Sequence, residues 1–329
     1  MGSDTKTPAS PALSRRRLLY GMGLAAAALP LGQFLIACGS DSDGQDTSGE
    51  DTGGTPTTDL PPDADVPWAT GGTRAMTALA TYPDPFAAGV GAACSLLCEA
   101  TLGPCYATTL ERMDISEGEP GLPVRIAFQV VDETCKPLPG AHVDIWHCGP
   151  DGLYSGEDAS DFCTAADARA RAARWYRGTQ TSDANGRVDF NTCFPGWYSS
   201  RTIHIHFTIR VNDQEYVTSQ LVFDDALDNE IVASQPLYST RGPRDTTNTT
   251  DNVVSAESAP AYSFQTRRMT DGAMLAWKTL VIRSSLSNAS CQLSGNGGGG
   301  GGGGPPPGGP RPDGGMGGPG GPRPDAGTP

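Results

Sequence analysis

The sequence predicts a mostly β fold, an antiparallel β-sandwich, from three observations. Apolar residues recur at every second position in several short runs, the period of a strand with one buried face. Gly, Asn, Asp and Pro residues with turn chemistry separate those runs. Helical patterning is confined to residues 85–97 and 167–175, so only a short N-terminal helical segment is expected beside the strands.

The strands follow in order. Val124, Ile126, Phe128 and Val130 alternate with polar or small residues, and Val143 and Ile145 do so ahead of Trp146-His147. Residues 179–181 and 187–191 flank Asp183-Ala-Asn185-Gly186, which reads as a hairpin turn. Next, Ile203, Ile205, Phe207 and Ile209 share one face of a strand, leaving His204 and His206 together on the other. Asn212-Asp213 turns that strand into another over 215–223, and the apolar run 274–282 closes a sheet.

Composition at the two ends limits the 329 residues to one folded domain, placed at 85–292. Residues 1–37 carry Ser14-Arg-Arg-Arg17, then an apolar run interrupted by Gly21, Gly23, Pro30 and Gly32, and end beside Cys38. Basic region, short apolar region and terminal cysteine describe a twin-arginine-type lipoprotein signal peptide with Cys38 lipidated. The glycines and proline disfavour a permanent membrane-spanning helix. The polar stretch 38–84 reads as a flexible tether. Residues 293–329 read as a disordered Gly/Pro-rich tail in which Gly-Gly-Pro-Arg-Pro-Asp occurs twice. The expected location is membrane-anchored and exported, facing the periplasm or cell exterior.

Charge and cysteine usage narrow the partners. Removing residues 1–37 leaves 19 basic against 36 acidic groups, from 23 against 37, a net charge of −17. Such a surface repels nucleic acid. Eight cysteines besides Cys38 imply up to four disulfides of undetermined pairing. Cys94 and Cys98 have no matching second pair, which argues against a zinc knuckle.

His204 and His206, two apart on a strand, present both imidazoles to one place, the beginning of a metal site. Their neighbours come in a particular order: Trp146-His147-Cys148-Gly-Pro-Asp-Gly152-Leu-Tyr154, Arg177-Gly-Thr-Gln-Thr-Ser-Asp183, Gly196-Trp-Tyr198, and Arg201-Thr-Ile-His204-Ile-His206. Thr218-Ser-Gln220, Pro236-Leu-Tyr238 and Arg241-Gly-Pro-Arg-Asp-Thr-Thr-Asn248 follow. In these motifs, spanning residues 102–254, the chain resembles the intradiol ring-cleavage dioxygenases, the non-haem ferric family that includes catechol and protocatechuate dioxygenases.

The resemblance implies that Tyr154, Tyr198, His204 and His206 hold Fe(III), with Tyr154 and His204 equatorial and Tyr198 and His206 axial. Fe(III) is a hard cation that favours anionic oxygen and can ionise a phenol; zinc more often takes Cys, His or carboxylate. It further implies that a catechol dianion displaces Tyr198, that O2 is the co-substrate, and that the product is a cis,cis-muconate-type diacid. By the same resemblance Arg201 stabilises carbanion character in the ring and Gln220 positions an oxygen species. His142 and His147 match no ligand position, and His147 reads as structural.

The segment Thr101-Leu-Gly103-Pro104-Cys105-Tyr106 departs from the family pattern. Leu102 stands where an acidic residue is common and Cys105 where an aromatic is expected. The resemblance places Leu102 and Pro104 at the substrate pocket, and no residue is a clear partner for a substrate carboxylate, so a simple or alkylated catechol is the expected partner. Self-association is left open. Two rivals are a non-catalytic iron- or catecholate-binding lipoprotein on the same fold and a zinc hydrolase built on His204 and His206. The second lacks a carboxylate ligand and a general base at recognisable spacing.

Overall fold

A computed structural model describes Leu60 and residues 63–90 and 94–293; the expected leader, Cys38, about half of the tether and the tail from residue 294 lie outside the described residues. Among the described residues, eight strands form two four-stranded sheets: β1 (Pro123–Asp132), β2 (His142–Trp146), β3 (Arg177–Thr181), β4 (Arg187–Cys193), β5 (His204–Val211), β6 (Gln214–Val222), β7 (Gln265–Arg268) and β8 (Met274–Ile282). The sheet orders are β4-β1-β8-β7 and β3-β2-β5-β6. Every pairing is antiparallel except β1 with β8, which run parallel.

The alternation predicted from sequence fills the space between the sheets. Val124, Ile126, Phe128 and Val130 from β1 meet Val143, Ile145, Ile205, Phe207 and Ile209 from β2 and β5 in one fully buried cluster. Aligned sheets packed through such faces make a sandwich. Among the described residues, no helix is long and apolar enough to cross a membrane.

Several expectations are corrected. Residues 183–186 do form a tight turn, with Gly186 N–H donating to Asp183 O at 3.0 Å. The flanking strands nevertheless pair elsewhere, β3 with β2 and β4 with β1, so the turn carries the chain from one sheet to the other and no hairpin forms. Turn chemistry is the same for a hairpin and for a corner, and cannot distinguish them. A two-residue hairpin lies instead at Asn212-Asp213, both at positive φ (51° and 62°), as a turn of matching twist requires.

No helix occupies the described part of 85–97. Short 3₁₀ turns stand earlier, at Gly72–Ala75 and Leu79–Thr81. The remaining helices are α1 (Asp161–Thr164), α2 (Ala168–Ala172), α3 (Asp225–Ser234), α4 (Pro236–Ser239) and α5 (Ala259–Tyr262). The longest of them, α3, has too few apolar residues to show a helical period. It starts because the Asp224 carboxylate accepts the Ala226 and Leu227 N–H groups, an N-cap.

The folded unit also begins before residue 85. Trp68 is buried, its indole donates to Glu230 at 2.7 Å, and Ala69 N–H donates to Gly272 O at 2.8 Å. A single large aromatic with a few apolar companions (Met76, Tyr82, Phe86) is enough to dock a Pro/Asp-rich segment that otherwise reads as tether. Among the described residues, the cysteines form three disulfides, Cys94–Cys135, Cys98–Cys291 and Cys105–Cys163, where up to four were allowed for. Cys148 and Cys193 remain as buried thiols.

Candidate metal centre

β5 lies between β2 and β6, and its pairings line up one row of side chains across the sheet. Arg177 pairs with Trp146, Trp146 with His206, and His206 with Gln220. Paired positions of adjacent strands share a face, and this is the face turned away from the sandwich core. All four side chains are buried nonetheless, because loops carrying Tyr106, Tyr154 and Tyr198 cover them.

Four donor atoms converge beneath those loops. His204 Nε2 is 3.4 Å from the Tyr154 hydroxyl, 3.1 Å from the Tyr198 hydroxyl and 3.1 Å from His206 Nε2. His204 Nδ1 lies 2.6 Å from Thr202 O and donates its proton there, which leaves the Nε2 lone pair facing the cluster. Burial holds both imidazoles well below the ordinary histidine range, with the Arg201 charge adding to it. Burial raises the Tyr154 phenol far above its ordinary value and pushes Tyr198 up to about 12, against the pull of Arg201. Two neutral imidazoles and two phenols with their donor atoms gathered at one point suit a cation that can ionise phenols. Among the described residues, no group of three or more His, Cys, Asp or Glu side chains could hold a metal ion, so metal binding here needs the tyrosines.

Arg201 is no ordinary surface ion pair. Its Nε donates to Asp251 Oδ1 at 2.8 Å, and a terminal nitrogen donates to Gln220 Oε1. Asp251 is fully buried and also accepts the N–H groups of Thr202, Val253 and Val254 at 2.9–3.1 Å. Gln220 in turn donates to Thr101 O at 3.3 Å. The arginine is therefore fixed next to the two tyrosines and two histidines by a carboxylate that sequence reasoning missed.

Residues 101–270 match the family model described as "Dioxygenase". The chain belongs to the intradiol ring-cleavage dioxygenase family. An intradiol ring-cleavage dioxygenase from Tetranychus urticae, of known structure, is 29% identical with a TM-score of 0.53, over 60% of this chain and 98% of that one. A chlorocatechol 1,2-dioxygenase of Pseudomonas putida is 28% identical over 31% of this chain and 42% of its own. A catechol 1,2-dioxygenase of Pseudomonas sp. (strain EST1001) is 30% identical over 36% and 44%. The chain thus spans less than half the length of these two curated relatives.

Within this intradiol dioxygenase fold, a cavity of about 220 Å³ opens beside the phenols. Its walls include Tyr154, Tyr198, Leu153, Phe162, Arg241 and the Cys105–Cys163 disulfide. Leu102 and Pro104 do not line it and are exposed. Their segment instead lies on His206: a Cβ on Gly103 would stand 3.3 Å from His206 Cε1, so the absence of a side chain there lets the backbone approach the ring.

A second missed residue is Arg177. Its buried guanidinium donates to Ser155 O and Cys105 O, both at 2.7 Å, and lies 5.8 Å from the Tyr154 ring centre. It ties the Tyr154 loop to the 101–106 segment, and burial lowers its pKa to about 10. The signal for it was a charged residue opening a strand right after two aromatics, Trp175-Tyr176. His147 is structural as expected, buried with Nδ1 2.8 Å from Cys148 O and Nε2 2.8 Å from Thr192 Oγ1. His142 lies outside the cluster, next to Thr181 Oγ1.

Proposed function

We propose that this protein is an Fe(III)-dependent intradiol dioxygenase. It adds both atoms of O2 across the bond between the two hydroxyl-bearing carbons of a catecholic ring, giving a cis,cis-muconate-type diacid. The observation that carries this reading is the approach of the Tyr154 hydroxyl, the Tyr198 hydroxyl and His206 Nε2 to His204 Nε2, all within 3.4 Å. Tyr154, Tyr198, His204 and His206 would hold the ion, two anionic oxygens against a trivalent charge and two neutral nitrogens completing the set. When bound, Fe(III) supplies the Lewis acidity that makes a catecholate ring open to attack by O2.

The chain's own residues do the rest. Tyr154 is buried and tied down by the Tyr154 N–H to Cys163 O bond at 2.9 Å, so it is the fixed phenol. Tyr198 is half-buried on the cavity wall, where its oxygen can take a proton from an entering catechol. Arg201, locked by Asp251, offers a fixed positive charge to the electron density that builds on the ring, a stabilisation requiring no rearrangement during reaction. Gln220 neighbours His206 on the same face and is held by Arg201 and Thr101, a position from which its amide orients an oxygen species. A lipid on Cys38 would keep the enzyme at a membrane, facing the periplasm or cell exterior.

The test is metal analysis, visible spectroscopy and oxygen uptake on one purified preparation. Iron near one per chain, a tyrosinate-to-iron absorption band, and O2 consumed in step with catechol are the expected results. Tyr154→Phe should lose most of that band. A fully metallated, colourless protein overturns the ligand set; a coloured protein that consumes no O2 with any catechol is a binding protein instead.

A further inference from the structure

We infer that Arg241 recognises an anionic ring substituent, and that the cavity beside Tyr154 and Tyr198 therefore selects catechols carrying a carboxylate. This rests on the reaction proposed above. The chain is strongly acidic, with a net charge of −14, and its arginines are mostly spoken for. Of the fifteen among the described residues, eleven pair with a carboxylate within 4.0 Å. Arg241 is one of the four that do not, and the only one of those four that lines this cavity.

Its position is built. One terminal nitrogen donates to Trp197 O, and the guanidinium carbon stands 4.5 Å from the centre of the Trp197 ring. Gly152, at φ +80°, leaves the space the guanidinium uses: a Cβ there would come within 2.7 Å of one nitrogen and 3.0 Å of the central carbon. The glycine of the Gly152-Leu-Tyr154 motif thus lets the cation lie against the loop that carries a candidate iron ligand. The guanidinium makes no other hydrogen bond among the described residues, so most of its N–H donors are left for a ligand. A planar guanidinium with two adjacent N–H groups free matches a carboxylate bidentately.

The remaining walls fit the same ligand. Leu153, Phe162 and the Cys105–Cys163 disulfide present apolar surface to an aromatic ring, and Tyr154 and Tyr198 bring the candidate iron ligands to the same walls. Asp151 is the one acidic residue on the wall, and its Oδ1 already accepts the Leu153 N–H at 3.0 Å. The inference departs from the simple or alkylated catechol expected from sequence, because it assigns the carboxylate a partner 87 positions beyond Tyr154 in the chain.

The experiment uses the iron-loaded full chain with catechol and 3,4-dihydroxybenzoate as substrates, and 4-hydroxybenzoate as a binding probe followed by calorimetry. In the wild type kcat/KM should favour the carboxylated ring by about tenfold or more. Arg241→Gln should lower that preference by about tenfold or more, chiefly through KM, and weaken 4-hydroxybenzoate binding to a similar degree; Arg241→Lys should recover part of both. A wild type that prefers catechol, or a preference and a probe affinity unmoved in Arg241→Gln, overturns the inference. Catechol turnover without charge preference refutes Arg241 and keeps the reaction. Probe binding that depends on Arg241, with no catechol cleaved, refutes the reaction and keeps the anion site.

Discussion

Trp146 lies flat against His206, their ring centres 4.9 Å apart and their planes 11° from parallel, at paired positions of β2 and β5. The two candidate histidine ligands are oriented by different means. His204 is held by a hydrogen bond from Nδ1 to Thr202 O, whereas His206 Nδ1 is buried with no hydrogen-bond partner among the described residues. Its ring is positioned by the Trp146 face on one side and by the closely approaching Gly103 segment.

Trp146→Leu should therefore weaken iron retention by about tenfold, the lower end of what loss of an orienting neighbour costs a metal site. Competition with a chelator measures it. Equal retention in both proteins would show that stacking contributes nothing to His206.

Arg201→Gln should keep the iron and its colour while lowering kcat by roughly 10²–10³-fold, the scale seen when one preorganised charge-stabilising group is removed. Because Asp251 retains the three backbone donors of Thr202, Val253 and Val254, the variant should still fold. Steady-state oxygen uptake at saturating catechol is the measurement, and an unchanged kcat would remove the role assigned to this cation.

His147 sets a pH dependence of stability. Burial lowers its pKa to about 4, against about 6.5 in the unfolded chain. The folded state thus binds this proton less readily, so the contribution is complete above pH 6.5 and is lost as pH falls through 4. Urea unfolding of the metal-free protein should show stability falling over that window. In His147→Gln the fall should be smaller by on the order of 3 kcal/mol. His204 and His206 act in the same direction, so the slope should shrink without vanishing.

Lys278 is a stability cost at neutral pH. Its amine is largely buried on β8, donates to Ser263 O at 3.1 Å, and burial lowers its pKa to about 8. Since the depressed value disfavours the charged form, its contribution is complete only above the unfolded pKa near 10.5 and is lost as pH falls through 8. Lys278→Met should raise the unfolding free energy at pH 7 by about 1–2 kcal/mol, discounted for the side chain's partial exposure. Thermal and urea unfolding would check it; a less stable variant would mean the Ser263 bond outweighs the burial.

What could be seen in the sequence was local. The alternation around His204 and His206 was legible because β5 packs Ile205 and Phe207 into the core, and a two-residue period is short enough to read directly. The tyrosines, Arg201 and Gln220 came from motif order, and the structure brings all of them to one place. The contacts of Asp251 and Arg241 could not be read, although Arg241 opens a quoted motif, because each touches a residue more than forty positions away. The corner at 183–186 was misread because turn residues specify a reversal and not its destination. Trp68 escaped notice as one aromatic in polar surroundings, and α3 because a carboxylate cap starts it with little apolar pattern to follow.

The Cys98–Cys291 bond has a consequence for how this molecule survives damage. It links a point ahead of β1 to a point past β8, 193 residues apart, so both sheets belong to one covalent circle. A protease that cuts once in an exposed turn, such as that around Glu157, opens the circle without releasing a fragment. The nicked chain should keep its full mass until a reductant separates the pieces.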